Sequence, residues 1–348
     1  MTMLVNKLPN VPKVSFLTQG DRILASSRFR VYQFLDEIAE DCFQNIVLSL
    51  PSSGIGKRLK FLLSAVFAAA SSEVTFVQKI LLPEAYILMI KKITGRLVFD
   101  WDDALYTLPP RSEINEHKLR KRLKRLHKML SLADTVVCGN DVLAGYSEQF
   151  CDDVRVIPTS IKTDQKISSS CRDNEVVTIG WIGRAENLEY LEKLEDVFDS
   201  LHEKYGAKVR LLVVCDKPLK SGTPLTIINK KWQLNDEETD ITSFDIGIMP
   251  LEDTSWARGK CAFKLLQYMT FGVACVASPV GANKQVVKDA ENGLLATTYE
   301  EWLNALSRLI EDPLYRNKLV TSARLTVEKE YSVKVNKQAF IGAVLGDI

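Results

Sequence analysis

Short runs of apolar and β-branched residues alternate along the whole chain with longer stretches in which apolar positions recur every three to four residues. That is the pattern of parallel sheets covered by helices. In the first half it predicts strands at Val14–Thr18, Asn45–Leu50, Thr75–Lys79, Arg96–Asp100, Thr135–Cys138 and Val154–Ile157. Helices are predicted between them, beginning near Ser27, Gly56, Glu84, Asn115 and Asn140. The stretch from Lys162 to Glu175 is polar, serine-containing and without period, and reads as a linker. The alternation then restarts, with strands at Val177–Ile182, Val209–Cys215, Leu225–Asn229, Asp245–Pro250, Ala274–Ala277 and Gly293–Ala296. Helices are predicted over Leu188–Tyr205, Ala262–Phe271, Glu300–Ile310 and Pro313–Glu330, with a last amphipathic stretch at Val333–Leu345. The fold class expected is therefore α/β, with two doubly wound domains over residues 1–165 and 166–330. Ligands of such sheets bind beyond the carboxyl ends of the strands, so two facing sheets are expected to enclose an interdomain cleft.

Composition narrows the class without naming a chemistry. The 348 residues are 46% hydrophobic and 26% charged with a formal net charge of +1, which excludes a disordered chain and a surface given over to nucleic acid. The seven cysteines are odd in number, scattered and without a CxxC pair, so they are expected to be reduced thiols of a cytoplasmic protein. The first residues lack the apolar core of a signal peptide, and no later run has the 18 apolar residues of a spanning helix. Several motifs are missing. Gly180-Trp181-Ile182-Gly183 supplies only part of a dinucleotide fingerprint, and Ser53-Gly54-Ile55-Gly56-Lys57 lacks the first glycine and the hydroxyl of a phosphate loop. With three histidines and neither HExxH nor GxSxG, metalloprotease and serine-hydrolase readings have no support.

Positive signals lie at predicted strand ends. In the second domain a buried strand, Asp245–Pro250, leads through Trp256-Ala257-Arg258-Gly259-Lys260 into a helix. Glycine and cations at a helix N-terminus suit a phosphate, because backbone N–H groups and the helix dipole favour negative charge. Such lysines are often merely solvated, and the glycine can serve a turn alone. Ser278-Pro279-Val280-Gly281 ends the next strand at the same edge.

Together these pieces resemble bacterial glycosyltransferase family 4, the retaining enzymes with two facing Rossmann-like domains called GT-B. The run PLEDTSWARGKCAFKLLQYMTFGVACVASPVGAN…ENGLLA resembles its donor-binding core, and Ala25–Gln33, Phe99–Asp103 and Val156–Ile161 match the first domain in order. The resemblance implies that Gly183 and Arg184 approach the diphosphate of a nucleotide sugar and that Lys260, with Lys264, is its second cationic partner, replacing a metal ion. Gly259 and Ser278 would line the same donor site. Most of the family carries two glutamates eight positions apart around this helix, the later one on the nucleotide ribose. Here those positions hold Gly259 and Gln267, as in a subgroup with GKxxFKLLQY in this place. Gln267 can still hydrogen-bond a ribose hydroxyl, without the charge. The family also implies that residues 331–348 pack back on the first domain.

In the first domain Asp100-Trp101-Asp102-Asp103 closes a strand. It resembles a metal-binding DxD, but the family resemblance implies metal-independent transfer, with no cofactor beyond the donor. Asp103 first, then Asp102, are the candidates to orient or deprotonate an acceptor hydroxyl. The alternative is that either carboxylate caps the next segment or pairs with Arg28 or Arg30. One of Ser26 and Ser27 is expected to N-cap the first long helix, and Ser27, Arg28, Arg30 and Asp100 are the candidates for an acceptor or phosphate side.

Seven cations against Glu116 alone mark residues 115–132, where Leu119, Leu123, Leu126 and Leu130 recur at helical spacing. Net charge is +4 through residue 165 (22 Lys+Arg against 18 Asp+Glu) and −3 beyond it (23 against 26). With the basic, apolar start at Gly56–Leu63, this suggests peripheral docking at the inner face of an anionic membrane, unless both leucine stripes face the core. Trp302 is expected in the core, while Trp181 and Trp256 adjoin the donor loops. The reading is a glycosyltransferase moving a sugar from a nucleotide-sugar donor to a glycan or polyprenyl-linked acceptor in surface polysaccharide synthesis. Its rivals are a nucleotide-sugar epimerase on the same fold and a non-catalytic nucleotide-sugar-binding module.

Overall fold

The computed structural model describes residues 11–39, 42–108, 116–164 and 175–346. They fall into two compact units, one drawn from the ranges 1–106, 114–158 and 336–348, the other from 107–113 and 159–335. The second unit takes over at Thr159, before the boundary expected at 166, because the chain there is already paired. The Ile161 N–H donates to the Tyr331 carbonyl at 2.9 Å and the Val333 N–H to the Ile161 carbonyl at 3.1 Å. Residues 165–174 of the expected linker, Cys171 within them, and Asn115 lie outside the described residues.

The first unit holds strands β1 (Lys13–Thr18), β2 (Gln44–Ser49), β3 (Val74–Gln78), β4 (Arg96–Trp101), β5 (Thr135–Cys138) and β6 (Val154–Val156). They form one parallel sheet in the order β2-β1-β3-β4-β5-β6. The second unit repeats the plan with β7 (Val177–Ile182), β8 (Val209–Cys215), β9 (Thr226–Lys231), β10 (Ile246–Met249), β11 (Ala274–Ala277) and β12 (Leu294–Leu295), in the order β12-β11-β10-β7-β8-β9, again parallel. The central strands are buried on both faces, which is why they read as continuous apolar runs.

Right-handed crossovers place the helices 55–70, 84–93 and 116–132, which connect strands running in one direction across the first sheet, on one face of it. The last helix, Val333–Leu345, contributes Phe340 to the first unit, where its ring stacks on Phe34 at 4.4 Å between centroids and meets Phe76 at 5.5 Å. Two predicted helices are less regular than expected. Residues 188–205 divide into Glu189–Glu192 and Glu195–Tyr205, and the first long helix opens into a π-turn at Arg28–Tyr32. Six described cysteines are free thiols, and no described helix is long and apolar enough to cross a membrane.

Candidate functional site

In the first unit the carboxyl ends of β3 and β4 lie level, with Gln78 opposite Asp100. This register sets the next residue, Lys79, beside the acidic tail of β4. Lys79 has φ +58°, a left-handed conformation uncommon for any residue but glycine, and its N–H donates to the Asp100 carbonyl at 2.7 Å. So held, its Nζ reaches Asp102 Oδ1 at 2.7 Å and also contacts Asp103 Oδ2. Burial alone would lower the lysine's pKa, but the two carboxylates more than reverse that and raise it. Burial likewise opposes ionisation of Asp102, and the charges of Lys79 and Arg30 prevail, holding its carboxyl below the usual carboxylate range. A chain of side chains fixes the geometry: Ser27 Oγ donates to Gln78 Oε1 at 2.9 Å, Gln78 Nε2 to Ser26 Oγ at 2.8 Å, and Ser26 Oγ to Asp102 Oδ2 at 2.7 Å.

Several expected partners are therefore replaced. Asp102 and Asp103 pair with Lys79, a residue given no role by sequence reasoning. Arg30 and Asp100 instead form an ion pair that is about 2% and 1% exposed, with Arg30 Nη1 also donating to the Ile157 carbonyl at 2.6 Å. Burial raises the Asp100 pKa against the pull of Arg30. The helix is not capped by a serine either. Its N-cap is Leu24, and Ser27 Oγ instead accepts the Gly20 N–H at 3.0 Å. Arg28 is half-buried with its guanidinium 4.7 Å from the Phe29 ring. Asp103, at 30% side-chain exposure, is the most open of the three acids.

In the second unit the end of β7 is built around Gly183. A Cβ there would lie 2.5 Å from the Trp181 ring and 2.7 Å from Lys264 Nζ, so only glycine lets the backbone pass. Tyr268 steadies this end from below: its Oη accepts the Ile182 N–H at 3.2 Å. Lys264 is the second residue of helix Phe263–Thr270, entered through Ala262 at φ +52°. Left-handed backbone at an alanine costs about 1 kcal/mol or more, and the turn brings Lys264 back over β7, its Nζ 4.4 Å from the Trp181 ring centre. Burial, and then the positive charge of Lys260, push the Lys264 pKa down to about 7. Lys260 Nζ is 5.3 Å from the Trp256 ring, and the buried Gly259 ends the short helix Ser255–Arg258 that precedes it. Arg184 is open to solvent at 72% side-chain exposure, 3.7 Å from Glu186.

Ser278 is buried and its Oγ accepts the Leu251 N–H at 2.9 Å, tying the loop after β10 to the end of β11. Gln267 is buried, and its Nε2 donates to Glu237 Oε1 at 2.9 Å, while Trp232 Nε1 donates to the other oxygen at 3.0 Å. A carboxylate thus stands beside the amide, supplied by a different helix, Glu237–Thr242. Sequence reasoning did not single out Glu237. Trp302 lies in the core of this unit.

Residues 176–312 match the family model described as glycosyl transferases group 1. A comparison with curated proteins finds no match. Among solved structures the chain is similar to sucrose-phosphate synthase from Thermosynechococcus elongatus, at TM-score 0.68 and 13% identity over 94% of this chain and 97% of that one. It is similar to HepE from Anabaena in complex with UDP and glucose, at TM-score 0.64 and 13% identity over 94% and 98%. A UDP-forming α,α-trehalose-phosphate synthase from Burkholderia xenovorans matches at TM-score 0.63 and 12% identity over 96% and 98%. Two parallel six-stranded sheets give the chain the GT-B fold of these structures, and residues 176–312 match the glycosyl transferases group 1 family.

Proposed function

We propose that the chain transfers a sugar from a nucleoside-diphosphate sugar, with retention of configuration, to a hydroxyl of a glycan or polyprenyl-linked glycan in surface polysaccharide assembly. The observation that carries this reading is the pair of lysines at the end of β7. Lys264 Nζ lies against the Gly183 backbone, and burial first, then the positive charge of Lys260, lower its pKa to about 7. An anion beside these lysines would favour their charged forms. In the transfer the leaving group is the nucleoside diphosphate, and fixed cations stabilise the charge that develops on its phosphate as the glycosidic bond breaks, the work a metal ion does elsewhere. Gln267 with Glu237 offers an amide and a carboxylate for ribose hydroxyls. The similar structures with UDP bound, and UDP-forming enzymes among them, favour a UDP-sugar donor.

In the first unit, Asp103 is the carboxylate proposed to accept a hydrogen bond from the acceptor hydroxyl, with Asp102, Ser26 and Lys79 holding it in place. A polyprenyl-linked acceptor would be met at an anionic membrane surface, in the cytoplasm.

The test is thermal stabilisation by a panel of nucleoside diphosphates and nucleotide sugars, since a ligand that binds the folded state raises its melting temperature by mass action. A shift with UDP that is reduced in Lys260→Ala is expected. No shift with any base would overturn the donor site.

A further inference from the structure

The helix Ile55–Ala70 carries two opposite apolar faces, and one of them is uncovered. Phe61, Ala65, Ala68 and Ala69 are buried against the sheet. On the other side Ile55, Leu59, Leu63 and Phe67, each four residues from the last, are 90%, 51%, 51% and 75% exposed. At the helical rise this stripe is about 18 Å long. Large exposed apolar side chains occur singly on ordinary surfaces; four in a row along one helix mark a surface meant to be covered. The adjoining helix, Glu84–Ile93, adds exposed Met89 and Ile93 in a second short row. Beyond it lies helix Glu116–Leu132, joined to its neighbour by Lys124 and Glu84 at 3.1 Å.

Charge decides what covers the stripe. Together the three helices carry twelve Lys and Arg against two glutamates, and helix 55–70 carries Lys57, Arg58 and Lys60 with no carboxylate at all. A second copy of the chain would bring the same excess of positive charge to the contact, so this face repels itself. A nucleic acid would match the charge and leave the apolar stripe uncovered. An anionic bilayer satisfies both, taking the apolar side chains into its acyl boundary while the cations meet lipid headgroups.

We propose that the helix 55–70 face, Ile55, Leu59, Leu63 and Phe67 flanked by Lys57, Arg58 and Lys60, docks on an anionic lipid bilayer. The division of labour differs from that expected for the basic helix 115–132. Its described part buries Leu126, Met129 and Leu130 in the core, so it supplies charge to the surface and little apolar contact. The docking face lies wholly in the first unit, and the inference deepens the proposed lipid-linked acceptor by naming where the enzyme meets the lipid.

Flotation of the full chain with vesicles of phosphatidylcholine alone or with about 30% phosphatidylglycerol tests it. Binding to the anionic vesicles is expected, falling with salt. Leu63→Ser with Phe67→Ser should lower the partition coefficient at least tenfold, and Lys57→Glu with Lys60→Glu should lower it at least as far, since each cation near such a surface is worth about fivefold. All these side chains are exposed, so unchanged melting temperature and UDP-induced stabilisation serve as the folding controls. Equal flotation of the Leu63/Phe67 variant, or binding to neutral and anionic vesicles alike, would overturn the proposal. So would concentration-dependent dimerisation abolished by the same serines. Because flotation needs neither donor nor acceptor, its failure would leave the donor reading standing.

Discussion

Lys264 offers the sharpest test of the donor site, because its charge state in the empty protein is set by the same features that would bind a diphosphate. Its Nζ sits against the Trp181 ring and the Gly183 backbone, and burial first, then the charge of Lys260, brings its pKa down to about 7. A bound diphosphate would favour the charged form and return the pKa towards its ordinary range, so binding must take up a proton whenever Lys264 is empty-handed. The sign follows: affinity falls as pH rises through the pKa of the free protein. Between pH 7 and pH 8.5 the protonated fraction drops from about a half to about 3%, a roughly fifteenfold loss of affinity, or about 1.6 kcal/mol. The phosphate of the ligand, with its own second pKa near 6, is fully ionised over most of this range and contributes little. Titration calorimetry of UDP in buffers of different ionisation enthalpy measures both quantities, and proton uptake should approach one at pH 8.5 and about one half at pH 7. Lys264→Met keeps most of the packed stem and removes the charge. Its affinity should be independent of pH and match that of the parent at high pH. A flat profile in the parent, or the same slope in the methionine variant, would refute the argument and detach Lys264 from the diphosphate.

Lys79→Met should destabilise the protein by about 3–5 kcal/mol in urea unfolding, because it strands the Asp102 carboxylate, only 13% exposed. Adding Asp102→Asn should restore part of that loss, and a single-variant cost under about 1 kcal/mol would show that the acids do not depend on the lysine. Asp103→Asn should lower the rate of sugar transfer by about 100-fold or more while leaving UDP affinity unchanged, as befits a group that acts on the acceptor hydroxyl. Undiminished transfer would return Asp103 to a structural role. Glu237→Gln should weaken UDP binding by about tenfold, the cost of a charge-assisted hydrogen bond made neutral. Equal affinity would mean that Glu237 serves only to hold Gln267 and Trp232.

The strands were legible because parallel strands buried on both faces leave a plain mark, a short unbroken apolar run such as Val136-Val137-Cys138. Lys260 stands out locally, beside a glycine at a helix start, whereas Gly183 and Lys264 were singled out through the family resemblance, and the structure sets Lys264 Nζ against Gly183. What escaped was pairing across the sheet. Lys79 follows one strand and Asp102 the next, 23 positions later, and only the register that sets Gln78 opposite Asp100 brings them together. Helical irregularity escaped too. Between Glu192 and Glu195 the apolar period continues, while the backbone breaks to let Leu194 turn into the core.

Glu237 shows how far such reasoning can be misled by counting within one motif. Judged by the helix 263–270 alone, Gln267 is the loss of a charge. Judged by its surroundings, the amide is a donor that holds a carboxylate from a helix 30 residues earlier, at 2.9 Å, with the Trp232 indole on the carboxylate's other oxygen. A glutamate at position 267 would set two carboxylates at hydrogen-bonding distance, a repulsion that one of them could escape only by taking a proton. The glutamine instead gives the Glu237 carboxylate a donor. Gln267 and Glu237 must be exchanged together, and Gln267→Glu alone should weaken UDP binding where a simple restoration of charge would strengthen it.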